Sequence, residues 1–182
     1  MNLIVGSPWW LIALLLLALV AGAVEDGIRL RISNITCAAV FIGALVAAGF
    51  HGFSSTLWQN VVVCVVILAV GTAAFAAEWL GGGDVKLLAA IGLWLDLKAA
   101  TGLIAAVFLA GGLLAIVYIA ARRLAHRPRQ AHPVRGRVPY GVAIAIGAMF
   151  IFTTQLRERP ANPFLDHLRA ARAAEPPPAS LR

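Results

Sequence analysis

Long apolar runs, separated by short stretches of glycine, proline and charge, set the pattern of this chain. A helix needs about 20 apolar residues to cross a bilayer. The runs of that kind are Pro8–Val24, Ile35–Phe50, Leu57–Leu80, Ala99–Ala121 and Val138–Thr154, with a shorter one at Val85–Leu95. Trp9 and Trp10 open the first run as interface anchors. Together the runs predict an all-α, polytopic membrane helix bundle of about six transmembrane helices. The short fourth run is the one expected to extend back through the glycines before it or to stop partway across. The pattern places a membrane-embedded domain over 1–154 and an extramembrane tail over 155–182. Within the tail, 163–174 is weakly amphipathic, and Pro176, Pro177 and Pro178 end any helix.

Composition supports the same reading. The chain has 182 residues, 61% hydrophobic and 13% charged, with mean hydropathy +0.88. A soluble domain carries roughly 25% charged residues, so the surplus apolar surface is expected to face the lipid bilayer. Met1 to Ser7 holds no Lys or Arg. The positive start of a signal peptide is missing, and the first run is expected to be a retained helix. The net charge of +7 invites a nucleic-acid reading. The arginines, however, lie in loops beside apolar runs, which fits membrane orientation and not a nucleic-acid partner. Cys37 and Cys64 sit inside apolar runs with no CxxC pair, and the four histidines are scattered. The sequence therefore calls for no metal and no cofactor, and the two cysteines read as small buried apolar residues.

Positive charge sets the orientation. Arg29 and Arg31 follow the first run, Lys86 precedes the body of the fourth, and six arginines occupy 122–137. The 51–56 loop has none. The alternation puts the N-terminus outside and the basic loops in the cytoplasm. The arginines of the tail, which six spans place outside, run against this pattern.

Two acids carry the candidate chemistry. Asp26 lies at the end of the first run, and Asp84 lies in Gly81-Gly82-Gly83-Asp84-Val85-Lys86. An acid at the edge of a membrane segment is costly and is a functional candidate. The expected topology brings both to one membrane face, as an aspartic protease working at that surface requires. One carboxylate activates water while the other polarises the scissile carbonyl. Three glycines leave room for a substrate backbone near Asp84, which makes Gly81, Gly82 and Gly83 candidate substrate-binding positions. Lys86 is a further one, with helix anchoring as its plainer role. The plainer reading of Asp84 is an N-cap, and that of Asp26 an interfacial acid balanced by Arg29 or Arg31. Glu25 and Glu78 share the predicted face, where they either attract a basic peptide or are simply solvated. Asp96 falls on the opposite face.

These residues resemble a known family. Gly81-Gly-Gly-Asp-Val-Lys-Leu-Leu-Ala-Ala-Ile-Gly92 is similar to the GxGD motif of the type IV prepilin peptidases. Asp26 followed by Ile32-Ser33-Asn34 resembles their first motif, an Asp and then Ile-Pro-Asn. Val138-Pro-Tyr-Gly-Val-Ala-Ile-Ala-Ile-Gly147 resembles a third segment, typical of short members serving tight-adherence (Flp) pili. The resemblance implies a membrane aspartic endopeptidase of the bacterial inner membrane. Asp26 and Asp84 would be its catalytic pair, and it would remove the basic leader of prepilins or pseudopilins at the cytoplasmic face. Longer members also methylate the new N-terminus and carry a Cys-rich insertion. Here the resemblance implies peptidase activity without that insertion and leaves methylation open. Ser33 stands where the family usually has Pro, so the backbone after Asp26 is expected to be less firmly set. A GxGD protease of other transmembrane substrates, and a transporter or scaffold subunit of a pilus or secretion apparatus, are the competing readings. A transporter would show acids near the midplane and matched halves; neither is evident.

Overall fold

The computed structural model describes residues 2–52, 56–124 and 140–157. The described chain forms seven helices: α1 Leu3–Gly6, α2 Trp9–Arg29, α3 Asn34–His51, α4 Leu57–Ala76, α5 Gly82–Gly92, α6 Leu97–Leu124 and α7 Tyr140–Arg157. Five of them (α2, α3, α4, α6 and α7) are long and apolar enough to cross a membrane. The protein is a polytopic helical membrane bundle.

The expected sixth span is the main difference. At 11 residues, α5 is about 16 Å long, roughly half the hydrocarbon thickness. It starts three residues earlier than the apolar run, so Gly82 and Gly83 belong to its first turn and not to a loop. Although short, α5 still connects opposite ends of the bundle. Its start lies beside the end of α4, where Val85 meets Gly71. Its far end lies beside the start of α4, where Asn60 Nδ2 donates to the Leu93 carbonyl at 3.0 Å. The turn over Leu93–Leu95 completes the distance. This is possible because α5 is enclosed by protein: Leu87, Ile91, Trp94 and Leu95 have no exposed surface. Lipid contact falls instead to residues such as Trp9, Phe108, Leu109 and Ile116, all more than half exposed. In a bilayer such exposure is expected of the outer helices, since lipid is as apolar as they are.

Close approach of backbones fixes the pairing. α6 and α7 run antiparallel, with Gly102 against Ile151, Gly147 against Val107 and Gly111 against Tyr140. A Cβ on Gly147 would come within 2.9 Å of the Val107 backbone nitrogen, so only glycine permits that contact. α2 runs antiparallel to α3, with Gly22 on Thr36 at one end and the Trp10 and Phe50 rings 6.0 Å apart at the other.

The end of the bundle near Trp94 is closed. The sequence pattern assigned no element to Met1–Ser7; in the structure α1 folds into this end and buries Leu3 and Ile4. The Leu3 N–H donates to the Trp94 carbonyl at 3.0 Å, and Trp94 Nε1 donates to the Val40 carbonyl at 3.0 Å. The Asn2 amide donates to Gln155 on α7. Asp96 caps the start of α6 by accepting the Ala99 N–H at 2.9 Å, in keeping with its exclusion from the site. The expected tail helix over 163–174 and most of the arginine-rich loop lie outside the described residues.

Candidate active site

The opposite end of the bundle is open and polar. α2 carries Asp26 into it, in the last helical turn. Asp26 is only 5% exposed and is the sole ionisable residue among the buried polar side chains of the described chain. Its Oδ2 accepts the Gly141 N–H at 2.7 Å. This is a first-turn donor of α7, which has no partner within its own helix. The positive end of the helix dipole points at the carboxylate as well. Asp26 is thus held by the backbone of α7 and not by the arginines expected to balance it. A Cβ on Gly141 would lie 2.8 Å from Asp26 Cβ, so glycine is needed for the two helices to meet here.

Asp84 is held by the same kind of device on α5. The helix is capped at Gly81, with φ −78° and ψ 146°. Asp84 occupies the third helical position, not the N-cap. Its Oδ2 reaches back to accept the Gly81 N–H at 3.1 Å, the return half of a capping box. Each aspartate therefore sits at a helix N-terminus, Asp26 at one supplied by a different helix and Asp84 at its own.

Both aspartates line one cavity of about 890 Å³. Its other walls include Gly81, Gly82, Gly83, Ile32, Phe75, Glu78 and Tyr140. The two acids, expected at one membrane face, open on one cavity at one end of the bundle. The glycines line it, but much of the space left by their missing side chains is already used. Ile32 packs over Gly83, the Asp84 carboxylate covers Gly81, and the Phe75 ring lies on Gly82. Lys86 is elsewhere: its Nζ donates to Asn34 Oδ1 at 3.0 Å on the exposed side, and it does not line this cavity.

Two features of the site were not legible in the sequence. Leu30 and Glu78 adopt positive φ, 52° and 60°, the only non-glycine residues to do so among those described. Both line the cavity. Left-handed backbone at such residues is strained and tends to gather at functional sites. The second feature is Ser33. Its φ of −72° and ψ of 148° fall where a proline would sit, so the backbone after Asp26 keeps that geometry without the ring.

The comparison with known families decides the class. A match to the type IV leader peptidase family covers residues 12–119, more than half of the chain, and includes both Asp26 and Asp84. The chain belongs to the type IV leader peptidase family. No curated protein and no solved structure matches it. The protein is thus a leader-peptidase-like protease built on a multi-pass membrane bundle. The matched segment stops inside α6, so α7, which supplies the Gly141 N–H to Asp26, lies beyond it.

Proposed function

We propose that this protease is an aspartic endopeptidase that removes the basic leader of type IV prepilins of the Flp kind. Asp26 and Asp84 are its catalytic pair. The observation that carries the reading is the shared cavity: two aspartates 58 positions apart in sequence open on one space at one end of the bundle. In the reaction one carboxylate takes a proton from a water as that water attacks the scissile carbonyl carbon. The other, protonated, donates to the carbonyl oxygen; as the C–N bond then breaks, the first carboxyl gives its proton to the leaving amine and the second takes one back from the gem-diol hydroxyl. The two titrate as a pair, so neither owns one role permanently.

Gly81, Gly82 and Gly83 are proposed to receive the substrate backbone, using first-turn N–H groups of α5 that no helical carbonyl satisfies. Lys86 is assigned to anchoring α5 against α3. Arg29, Arg31 and Lys86 lie at the cavity end of the bundle, and by the positive-inside tendency that end faces the cytoplasm of a bacterial inner membrane.

The test is co-expression with a small pilin carrying its leader, read by mass. The wild type should release the shortened pilin. Asp26→Asn and Asp84→Asn should leave the leader in place while the protein still inserts. Near-normal cleavage by either variant would refute the two-aspartate mechanism. Orientation is tested separately by labelling single cysteines placed at Arg123 and Gly52, with Cys37 and Cys64 replaced. Labelling of position 123 from outside the cell would overturn the assignment of the cavity to the cytoplasmic face.

A further inference from the structure

Glu25 immediately precedes Asp26 but turns its carboxylate to the α2–α3 connection. Glu25 Oε2 accepts the Ser33 N–H at 2.9 Å and the Thr36 hydroxyl at 3.1 Å. The Ser33 hydroxyl oxygen in turn accepts the Thr36 N–H at 3.2 Å and lies 3.0 Å from the Thr36 hydroxyl. Together these contacts form a clasp over the connection from Leu30 to Ser33. The connection needs one: Leu30 is left-handed, with its N–H donating to the Asp26 carbonyl at 2.9 Å, and strained backbone persists only where its surroundings hold it.

What the clasp holds is Ile32. Its Cβ lies 3.1 Å from where a Cβ on Gly83 would be, and its Cδ1 lies 2.8 Å from where one on Gly141 would be. Gly83 immediately precedes Asp84, and Gly141 donates to Asp26. Ile32 is therefore a wedge between the two helix N-termini that carry the aspartates, and it lines the same cavity.

We propose that Glu25 is a positioning residue: through Ser33 and Thr36 its carboxylate seats Ile32 as the spacer that sets Asp26 and Asp84 apart by a fixed amount. This rests on the two-aspartate reading above. The geometry also supplies a rescue. Ser33 already has a backbone that a proline ring would impose. A proline at 33 would give up both the N–H that Glu25 binds and the hydroxyl that accepts from Thr36, but it would stiffen the connection covalently, so it should substitute for the glutamate.

The experiment has two readouts in the full-length protein in membranes, with Cys37→Ala and Cys64→Ala as the background. The first does not depend on activity. Ile32→Cys with Gly83→Cys should cross-link on oxidation, because the two Cβ positions lie 3.1 Å apart and need separate by only a few tenths of an ångström to reach ordinary disulfide spacing. Adding Glu25→Ala should slow cross-linking about tenfold, and adding Ser33→Pro as well should restore it. The second readout is leader cleavage without the paired cysteines. Glu25→Ala should lower kcat about tenfold at unchanged KM, since small misplacements of catalytic groups are costly. Glu25→Gln, whose amide oxygen can still accept, and Glu25→Ala with Ser33→Pro should both recover. If Glu25→Ala does not accumulate, Thr36→Val removes one donor at nearly constant shape and should show a loss of about threefold.

Cross-linking and kcat that are indifferent to Glu25→Ala would overturn the proposal. So would a loss of cleavage with unchanged cross-linking that Ser33→Pro fails to restore, because Glu25 would then act on the substrate directly. A parent enzyme that cleaves no leader would instead refute the functional reading, and the cross-linking series would still decide the clasp.

Discussion

At the end of the bundle around Trp94, α1, Leu3, Ile4 and Asn60 fill the space, and each polar group described above has a partner within the protein. At the other end Asp26, Glu78 and Asp84 border a cavity of about 890 Å³, and both left-handed side-chain-bearing residues stand at its edge. The same helices run through both ends, α5 most directly, with Asp84 in its first turn and Trp94 just past its last. The contrast suggests a division of labour. The closed end supplies rigidity, and the open end uses it to hold strained backbone and a buried acid in a space that water and substrate can enter. A helix enclosed by the others serves this purpose well, because its buried body is fixed by the closed end while its first turn lines the cavity.

The largest expected effect is at the open end. Asp26→Asn or Asp84→Asn should reduce leader cleavage by about a thousandfold or more, and the double variant should be no worse than either single one, as for residues that act as a unit. Asn keeps the size and an acceptor for the Gly141 or Gly81 N–H, so the yield of folded protein should hold. Additive losses in the double variant would show two independent roles instead of a pair.

Next comes Gly141→Ala. The new Cβ would press within 2.8 Å of both Asp26 Cβ and Ile32 Cδ1, so Asp26 must move. A loss of about a hundredfold in kcat is expected, measured with the same pilin substrate. Full activity would mean that the α2–α7 contact is dispensable to the site.

At the closed end the effect should change kind. Trp94→Ala should cost about 3–5 kcal/mol in unfolding measured in detergent, with cleavage per folded molecule little altered at a permissive temperature. If instead turnover fell and stability held, the two ends would not be separable as described. Smallest of all should be Lys86→Ala. An exposed hydrogen bond to Asn34 contributes little, and cleavage should stay within about twofold in the pilin assay; a loss as large as that of an aspartate variant would return Lys86 to the substrate site.

Much of this organisation was legible in the sequence, and the residues that were not share a cause. Apolar runs located α2, α3, α4, α6 and α7 to within a few residues, because membrane helices must be apolar over a fixed length. The two aspartates stood out because ionisable groups are costly at that depth. The fourth run was visibly short, yet whether it crosses depends on being enclosed by other helices, which no local pattern records. α1 was missed because four residues with no charge carry no period. The partner of Asp26 was missed because the donor is a backbone N–H at Gly141, and any residue type offers one. Glu25 was read as attracting a basic peptide or as simply solvated, because its partners, Ser33 and Thr36, lie beyond a turn whose geometry only the fold supplies.

The separation of 115 positions between Asp26 and its donor at Gly141 has a consequence for biosynthesis. Translation proceeds at about 5–20 residues per second, so on the order of ten seconds pass between the emergence of α2 and that of α7. During that interval the nascent chain holds Asp26, and later Asp84, without the helix end that seats the first of them. A ribosome stalled at Leu124 would have made the whole segment shared with the family and still have left the site unassembled. On the two-aspartate reading, Asp26 is seated only once α7, the last helix among the described residues, has been made.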